Sequence, residues 1–467
     1  MSTLDLLVIG SGPGGHAAAL AGSRRGLRVG VVDQAPWGGV CLNVGCIPTK
    51  ALITVARRLR MIRHAKPLGI EVGEPGLRYA EAAQRNQRII AQLRQGLATL
   101  LTQQRVELIQ GRAMFRDAHT IEITAPDGAK RDVRAERVVI ASGAQPSPGP
   151  WTFDGRRILS YRDILALTEL PESLLIIGGG VIGCEFASCF SLMGARVTLI
   201  EQQAQLLPAE EPEAVRLLVR SLESRGVAIR TGTAVRSLQA DGARVRVTTA
   251  ADETFDAERC LVAIGLRPNT QHLGLEALGI GTNGGIAVNE YLLTSQPHIA
   301  AIGDCLKGHG LAHLASAEGL LAIRNLYDST PTALDLRLVP RCVYTDPEIA
   351  RVGRTEAEIE TPYRVSRFSF AALGKAACDD EPEGFAKILA DAESDQVLGV
   401  TIVGHEASSL IQPAVLAMQH RLTARQLAHT ITPHPTWAEG LTEAAAQLYG
   451  EALSTGQTGR VKHKESV

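Results

Sequence analysis

An α/β fold follows from three features of the chain. A strand, a glycine cluster, a helix, a second strand and a terminal carboxylate succeed one another between Leu6 and Asp33. The same series returns between Leu174 and Glu201. Two cysteines five positions apart, Cys41 and Cys46, stand just after the first series. Together these predict two Rossmann-like dinucleotide-binding domains with a thiol-bearing stretch following the first.

The composition fits that frame and removes other classes. A chain of 467 residues is too long for one core and predicts three or four domains. With 45% apolar and 21% charged residues it is an ordinary globular sequence. Lysine and arginine (48) balance aspartate and glutamate (49), so no net field favours nucleic acid or an anionic membrane. No apolar run reads as a membrane span. The start, Met1-Ser2-Thr3-Leu4-Asp5, lacks a basic leader and passes directly into a strand, so a cytoplasmic protein is expected. Eight cysteines in so long a chain do not form a secreted disulfide scaffold, and none makes a tight metal-ligand pair.

In the first series Leu6–Ile9 reads as a strand and Gly10-Ser11-Gly12-Pro13-Gly14-Gly15 gives G-x-G-x-x-G. A helix is expected from His16, and Arg28–Val32 is the second strand, ending in Asp33. Gly10, Gly12 and Gly15 allow backbone N–H groups to approach a pyrophosphate at the helix N-terminus. Asp33, 23 positions after Gly10, stands where a carboxylate can accept hydrogen bonds from a ribose diol.

Cys41 and Cys46 are either a redox pair or two unrelated buried thiols. Five residues of helix rise roughly 7.5 Å, whereas a disulfide needs Cα atoms within about 6.8 Å. If the two pair, regular helix cannot join them, and Gly45 permits the bend. Pro48 suits the first turn of a following helix. In a reducing compartment a local pair is catalytic more often than structural. Cys184 and Cys189 have the same spacing but lie in an apolar helical pattern and read as core residues.

Helices are expected over 51–65 and 80–104, the latter carrying Arg85, Arg88 and Arg94, with Arg105 just beyond, as a solvated face. Strands follow at 106–109 and 120–124, with Asp127-Gly128 as a hairpin turn. Arg137–Ile140 is a strand that breaks at Gly143, and Pro146, Pro148 and Pro150 mark a boundary.

The second series has strand Leu174–Ile177, fingerprint glycines Gly178, Gly180 and Gly183, a helix over 184–192, and strand Arg196–Ile200 ending in Glu201. Glu201 again lies 23 positions after the first glycine. A carboxylate here suits a free 2′-hydroxyl and repels a 2′-phosphate, and residues 202–207 contain no Lys or Arg. NAD rather than NADP is therefore expected at the second site.

Cys260–Ile264 is a strand ending at Gly265, and strand His298–Ile302 ends in Gly303-Asp304, where the carboxylate can meet a sugar or ribityl hydroxyl. A helix is expected over 311–327. From about Val339 strands and helices alternate without a third fingerprint. Near the end, His434 stands between Pro433 and Pro435, and a helix starting at Pro435 would bring Glu439 one turn on to orient the imidazole. A His so paired is a general base near neutral pH; a surface or satisfied histidine is the alternative. The charged tail Arg460–Val467 reads as frayed.

Gly38–Lys50, the two fingerprints, Ile302-Gly303-Asp304, Tyr344-Thr345-Asp346-Pro347-Glu348, and His434-Pro435-Thr436 with Glu439 occur in an order that resembles the pyridine nucleotide-disulfide oxidoreductases over nearly the whole chain. Within that family the chain is similar to the dihydrolipoamide dehydrogenases. The resemblance implies FAD at the first nucleotide site and NAD at the second. It implies a Cys41–Cys46 redox disulfide, with Cys41 as interchange thiol and Cys46 facing the flavin. Lys50 takes the place near the flavin N5, and Asp304 that of the ribityl contact. Ala113, Ser142, Gly143 and Ala312 match further FAD positions. Glu185, Val235 and Gly265 match NAD positions beside Glu201. His434 and Glu439 match the base and its orienter, acting on the disulfide of the other subunit of a homodimer.

The implied domains are FAD-binding with the redox pair (1–147), NAD-binding (148–267), central (268–337) and a C-terminal α+β dimerisation domain (338–467). The implied reaction is oxidation of dihydrolipoamide by NAD⁺, with lipoyl domains of 2-oxo acid dehydrogenase or glycine-cleavage complexes as partners. A reductase of another small disulfide, a catalytically silent flavoprotein subunit, and a flavin oxidase or transhydrogenase are the competing readings. Two departures stand out: Thr432 replaces a second histidine common in the family, and Pro433 replaces a small residue, which predicts altered loop stiffness rather than lost activity.

Overall fold

A computed structural model describes residues 3–308 and 310–462. The chain forms two compact units, the first from residues up to 55, 78–169 and 264–334, the second from 56–77, 170–263 and 335 onward.

The first unit is built on a parallel sheet. Strand Leu4–Ile9 lies between Val29–Asp33 and Lys130–Ile140, with Glu107–Gln110 beyond the former and Ile299–Ala301 beyond the latter. Both faces are covered, as a parallel sheet requires. Leu4, Leu7 and Ile9 join one core, whereas Leu6 and Val8 join the other. Strand Lys130–Ile140 is long enough to serve two ladders. Its second half pairs with Leu4–Ile9, and its first half continues an antiparallel sheet with Thr120–Thr124 and Arg112–Phe115. The turn between falls at Asp127-Gly128 as expected, with Gly128 at φ 86°.

Helices Pro13–Arg24 and Ala312–Tyr327 meet through glycines. A Cβ on Gly14 would lie 2.9 Å from the Ala315 carbonyl oxygen, and one on Gly319 would lie 2.4 Å from that of Gly14. Neither position accepts a side chain without separating the helices.

The second unit repeats the nucleotide pattern. Strands Ala228–Arg230, Arg196–Ile200, Ser173–Ile177 and Arg259–Val262 are parallel neighbours in that order. Helix Val181–Met193 follows the fingerprint and buries Cys184 and Cys189, in agreement with the core reading. Its C-terminal part holds an antiparallel sheet in the order 341–343, 348–353, 397–404, 385–391, 363–369, 460–462. Helices Gln412–Gln419 and Glu439–Gln447 pack on it through Ala414, Ala417, Leu441, Ala444 and Ala445.

Several expectations change. The helix expected from Ala51 begins at Cys46 and ends at Arg63. Arg94 is not simply solvated, because its Nε donates to Asn43 Oδ1 at 2.9 Å. Arg460–Lys462 of the tail forms a strand on Tyr363–Ser369, since the sheet edge supplies main-chain partners there; residues 463–467 lie outside the described residues. Gly39–Arg63 is long and apolar enough to cross a membrane by length and composition alone, contrary to the sequence reading. It is two helices, interrupted at Gly45 (φ −136°, ψ −113°), and its second half carries Arg57, Arg58, Arg60 and Arg63.

Candidate active site

The two fingerprints fold alike. Gly10 and Gly178 adopt φ 102° and 109°, and their amides donate to Val32 and Ile200 carbonyls, each at 2.8 Å. A Cβ on Gly15 or Gly183 would lie 1.9 Å from the carbonyl oxygen of Gly10 or Gly178. Gly12 and Gly180 cap the following helices with no side-chain bond, leaving N–H groups open to an anion. No other group comes within 4 Å of a Cβ on Gly180, and only Gly39 Cα at 3.9 Å approaches one on Gly12. These are cradles that fit pyrophosphates.

The terminal acids also correspond. Asp33 accepts from the Ser11 amide at 2.8 Å, the Ser11 hydroxyl at 2.6 Å and the Ala35 amide at 2.9 Å. Glu201 accepts from the Gly179 amide at 2.5 Å and the Gln203 amide at 2.6 Å. Each carboxylate is thus fixed at the strand end before any ribose is bound. Beside the second acid, residues 204–206 line a cavity of about 370 Å³ with Arg216 and Arg220 of helix Pro212–Ser224. The sequence window 202–207 could not reveal those two basic groups.

Other expected nucleotide contacts are distributed as follows. Ser142 and Asn269 exchange bonds, with Ser142 Oγ donating to the Asn269 carbonyl at 2.7 Å and Asn269 Nδ2 to the Ser142 carbonyl at 2.9 Å. Gly143 has φ 70° and open space where a Cβ would stand. Ala113 has its methyl in the core, so only its main chain can meet a ligand. Ala312 opens its helix after an uncapped Leu311. Asp304 lies in a short 3₁₀ turn, and burial pushes its carboxyl up. Glu318, which sequence reasoning missed, accepts from the Gly303 amide at 2.6 Å and shapes that turn. Val235 starts a strand and Gly265 has φ 121°. Glu185 is buried in its helix and accepts from the Tyr344 amide at 3.0 Å.

Cys41 and Cys46 are half-buried thiols joined by a side-chain hydrogen bond. Gly45 makes this possible, because a Cβ there would meet the Val40 carbonyl oxygen at 2.9 Å. The Cys46 bond, then burial, pushes the Cys41 thiol up, while Lys50 opposes the shift. Cys46 is the first residue of its helix, where the dipole favours a thiolate.

Helix Tyr79–Gln103 holds this stretch at two points. Buried Asn86 donates to the Pro48 carbonyl at 3.0 Å, and Arg94 reaches Asn43. Asn43 in turn directs its amide at the carbonyls of Trp37 (3.0 Å) and Gly39 (2.8 Å). A polar residue between two cysteines was the available sequence signal for Asn43; nothing marked Asn86.

His434 Nδ1 lies 2.8 Å from Glu439 Oε1, and Glu439 Oε2 accepts from the Thr436 amide at 2.8 Å. The helix begins at Glu439 rather than Pro435, so the carboxylate sits at its N-terminus. The intended pairing survives because the loop, not a helical turn, sets it. Burial raises the Glu439 carboxyl, but the Thr436 and His434 bonds hold it below the usual range. His434 itself is 75% exposed at its side chain. Thr432 Oγ1 donates to Thr442 Oγ1 at 3.3 Å.

In the same unit the Tyr344–Glu348 stretch is bound by arginines. Arg57 pairs with Glu348 at 2.7 Å and donates to the Thr345 carbonyl at 2.8 Å, and Arg60 meets Asp346 at 3.0 Å. The expected site residues therefore form a Cys41–Cys46–Lys50 group in the first unit and a His434–Glu439 group in the second. Among the described residues no cluster suited to a metal ion occurs.

Two nucleotide cradles and a thiol pair define a nucleotide-dependent dithiol–disulfide enzyme. The chain belongs to the pyridine nucleotide-disulphide oxidoreductase family, whose model matches residues 4–319, with its dimerisation domain at 339–445. It is 37% identical to a dihydrolipoyl dehydrogenase of Bacillus subtilis over 460 residues, spanning 96% of this chain and 100% of that one. A dihydrolipoyl dehydrogenase of Thermus scotoductus is 39% identical, spanning 97% and 99%. Among solved structures, LpdA from Mycobacterium tuberculosis superposes with a TM-score of 0.91 at 31% identity, covering 96% and 100%. The HOCl-induced flavoprotein disulfide reductase RclA from Escherichia coli, as a Cu(II) complex, gives 0.87 at 26% identity, covering 96% and 99%.

Proposed function

We propose that this chain oxidises dihydrolipoamide to lipoamide with NAD⁺, as a dihydrolipoyl dehydrogenase. The observation that carries the reading is the Cys41–Cys46 thiol pair at a helix start, in a unit with a dinucleotide cradle. In the oxidised enzyme the two sulfurs form a disulfide. His434 of the partner subunit takes a proton from a substrate thiol, and Glu439 holds the resulting imidazolium. The substrate thiolate attacks Cys41 Sγ, and Cys46 leaves as thiolate at the positive end of its helix. The second substrate thiol displaces Cys41, which leaves lipoamide oxidised and the cysteines reduced. FAD, when bound, supplies the two-electron link between this dithiol and NAD⁺.

Gly10, Gly12, Gly15, Asp33, Ser142, Gly143, Asp304 and Ala312, with the Ala113 main chain, would hold FAD. Gly178, Gly180, Gly183, Glu185, Glu201, Val235 and Gly265 would hold NAD. Lys50 would offset negative charge beside Cys46. The enzyme works as a cytoplasmic homodimer with shared active sites and takes lipoyl domains as partners. Its parts divide into FAD, NAD, central and dimerisation domains at about 147, 267 and 337. A glutathione-reductase-like activity has less support, since the dihydrolipoyl dehydrogenases above match nearly end to end. The test is a steady-state assay of dihydrolipoamide with NAD⁺ against glutathione disulfide with NADPH. Turnover is expected only with the first pair, and the reverse result refutes the reading.

A further inference from the structure

Trp437 lies between His434 and Glu439 in sequence and is held from three sides. Its indole Nε1 donates to Asp379 Oδ2 at 3.0 Å. The Phe370 ring meets it edge-on at 5.5 Å, and the His405 ring lies 5.2 Å away at 33°. Trp437 is only 7% exposed, so its N–H needs this acceptor. Asp379 ends the short helix Gly374–Asp379, and its other oxygen accepts from Lys375 at 2.7 Å. The Lys375 bond lowers the Asp379 carboxyl, and His405 adds to that effect. Glu406 lies 3.8 Å from His405, and the exposed Cys378 precedes Asp379 in the chain.

The loop needs such an anchor. His434 is mostly exposed on its own protomer and hangs from a turn rather than from a helix. Glu439 and the Thr436 amide define one side of the pair. The indole is the buried side chain between them. A ring bonded at Nε1 and packed against Phe370 and His405 favours one orientation and so restrains the main chain on either side.

We propose that Asp379 is a positioning residue for His434, acting through the indole of Trp437. The proposal rests on His434 being the base of the reaction above. It makes the Lys375–Asp379–Trp437 chain an added support for the loop that carries His434.

Three variants test it in the dimeric holoenzyme. Asp379→Leu removes the acceptor while keeping the branched shape, Trp437→Phe removes the donor, and Asp379→Asn keeps one oxygen able to accept the indole N–H, while Lys375, with its side chain 36% exposed, turns to solvent. Asp379→Leu and Trp437→Phe are expected to lower kcat for dihydrolipoamide about tenfold with KM little changed, within the hundredfold that a 1 Å misplacement can cost. Asp379→Asn should stay within roughly twofold of the parent, because the hydrogen bond persists. NADH-to-dye activity and flavin content should not move, since neither uses His434. An unchanged kcat in Asp379→Leu, or a loss matched by dye activity and flavin content, overturns the proposal. A second readout needs no substrate: diethyl pyrocarbonate modification of His434, followed by peptide mass spectrometry, should change by about threefold or more in Asp379→Leu and not in Asp379→Asn. If the parent enzyme fails to turn over dihydrolipoamide, the functional reading falls, and an unchanged modification rate then overturns this inference separately.

Discussion

Replacing Glu439 by Gln isolates what the carboxylate does for His434. Glu439 accepts from His434 Nδ1 and from the Thr436 amide with different oxygens, each at 2.8 Å. Glutamine has one oxygen and one NH₂ group, so one of those two donors must face another donor. If the loop keeps its Thr436 bond, the imidazolium formed during proton transfer loses its acceptor. A hydrogen bond to a charged group contributes about 1.5–3 kcal/mol. His434 is 75% exposed, and solvent screening favours the lower end of that range. The expected loss is about 1.5 kcal/mol of transition-state stabilisation, or about tenfold in kcat.

The assay is steady-state oxidation of dihydrolipoamide, with NADH-to-dye turnover as the internal control. His434→Gln should fall by orders of magnitude more than Glu439→Gln, because it removes the proposed base itself. The pH dependence has a definite sign. The Glu439 carboxyl is held below its ordinary value, so the pair is intact above the usual glutamate range and is lost as pH falls through the lowered value. The acid limb present in the parent should therefore change in Glu439→Gln. Full lipoamide kcat in that variant, with an unaltered acid limb, would refute the orienting role.

Cys41→Ser or Cys46→Ser should abolish lipoamide turnover and leave some NADH-to-dye activity; full lipoamide turnover in either sinks the thiol mechanism. Gly180→Ala should leave the melting temperature within a few degrees and raise KM for NAD⁺, because among the described residues its Cβ meets no atom within 4 Å. Gly183→Ala should instead destabilise the unit itself by several kcal/mol, its Cβ falling 1.9 Å from the Gly178 carbonyl oxygen; equal thermal stability of the two variants would contradict this reading. Arg94→Ala leaves Asn43 without its donor and should lower lipoamide kcat by severalfold with FAD content retained, as measured by flavin absorbance.

Local patterns carried much of this protein in the sequence. The glycine fingerprints, the acids 23 positions on and the Cys41–Cys46 spacing are each written within short stretches, because backbone approach to a phosphate and a thiol pair are local requirements. The helices and strands read in the sequence followed for the same reason, apart from boundaries such as Cys46 and Glu439, where a cap or a loop decides the start; helices Gly39–Val44 and Pro212–Ser224 and the antiparallel strands Val235–Asp241, Arg244–Thr249 and Thr254–Ala257 were not read there.

Tertiary structure decided what depends on distant partners. It brought Asn86 and Arg94 onto the redox stretch, Glu318 onto the Asp304 turn, Arg216 and Arg220 to the loop after Glu201, and Asp379 onto Trp437. None of these lies within one helical turn of its target in sequence, so no periodicity could announce them. The chain alone thus named the candidate reacting groups, while the fold supplied the groups that hold them.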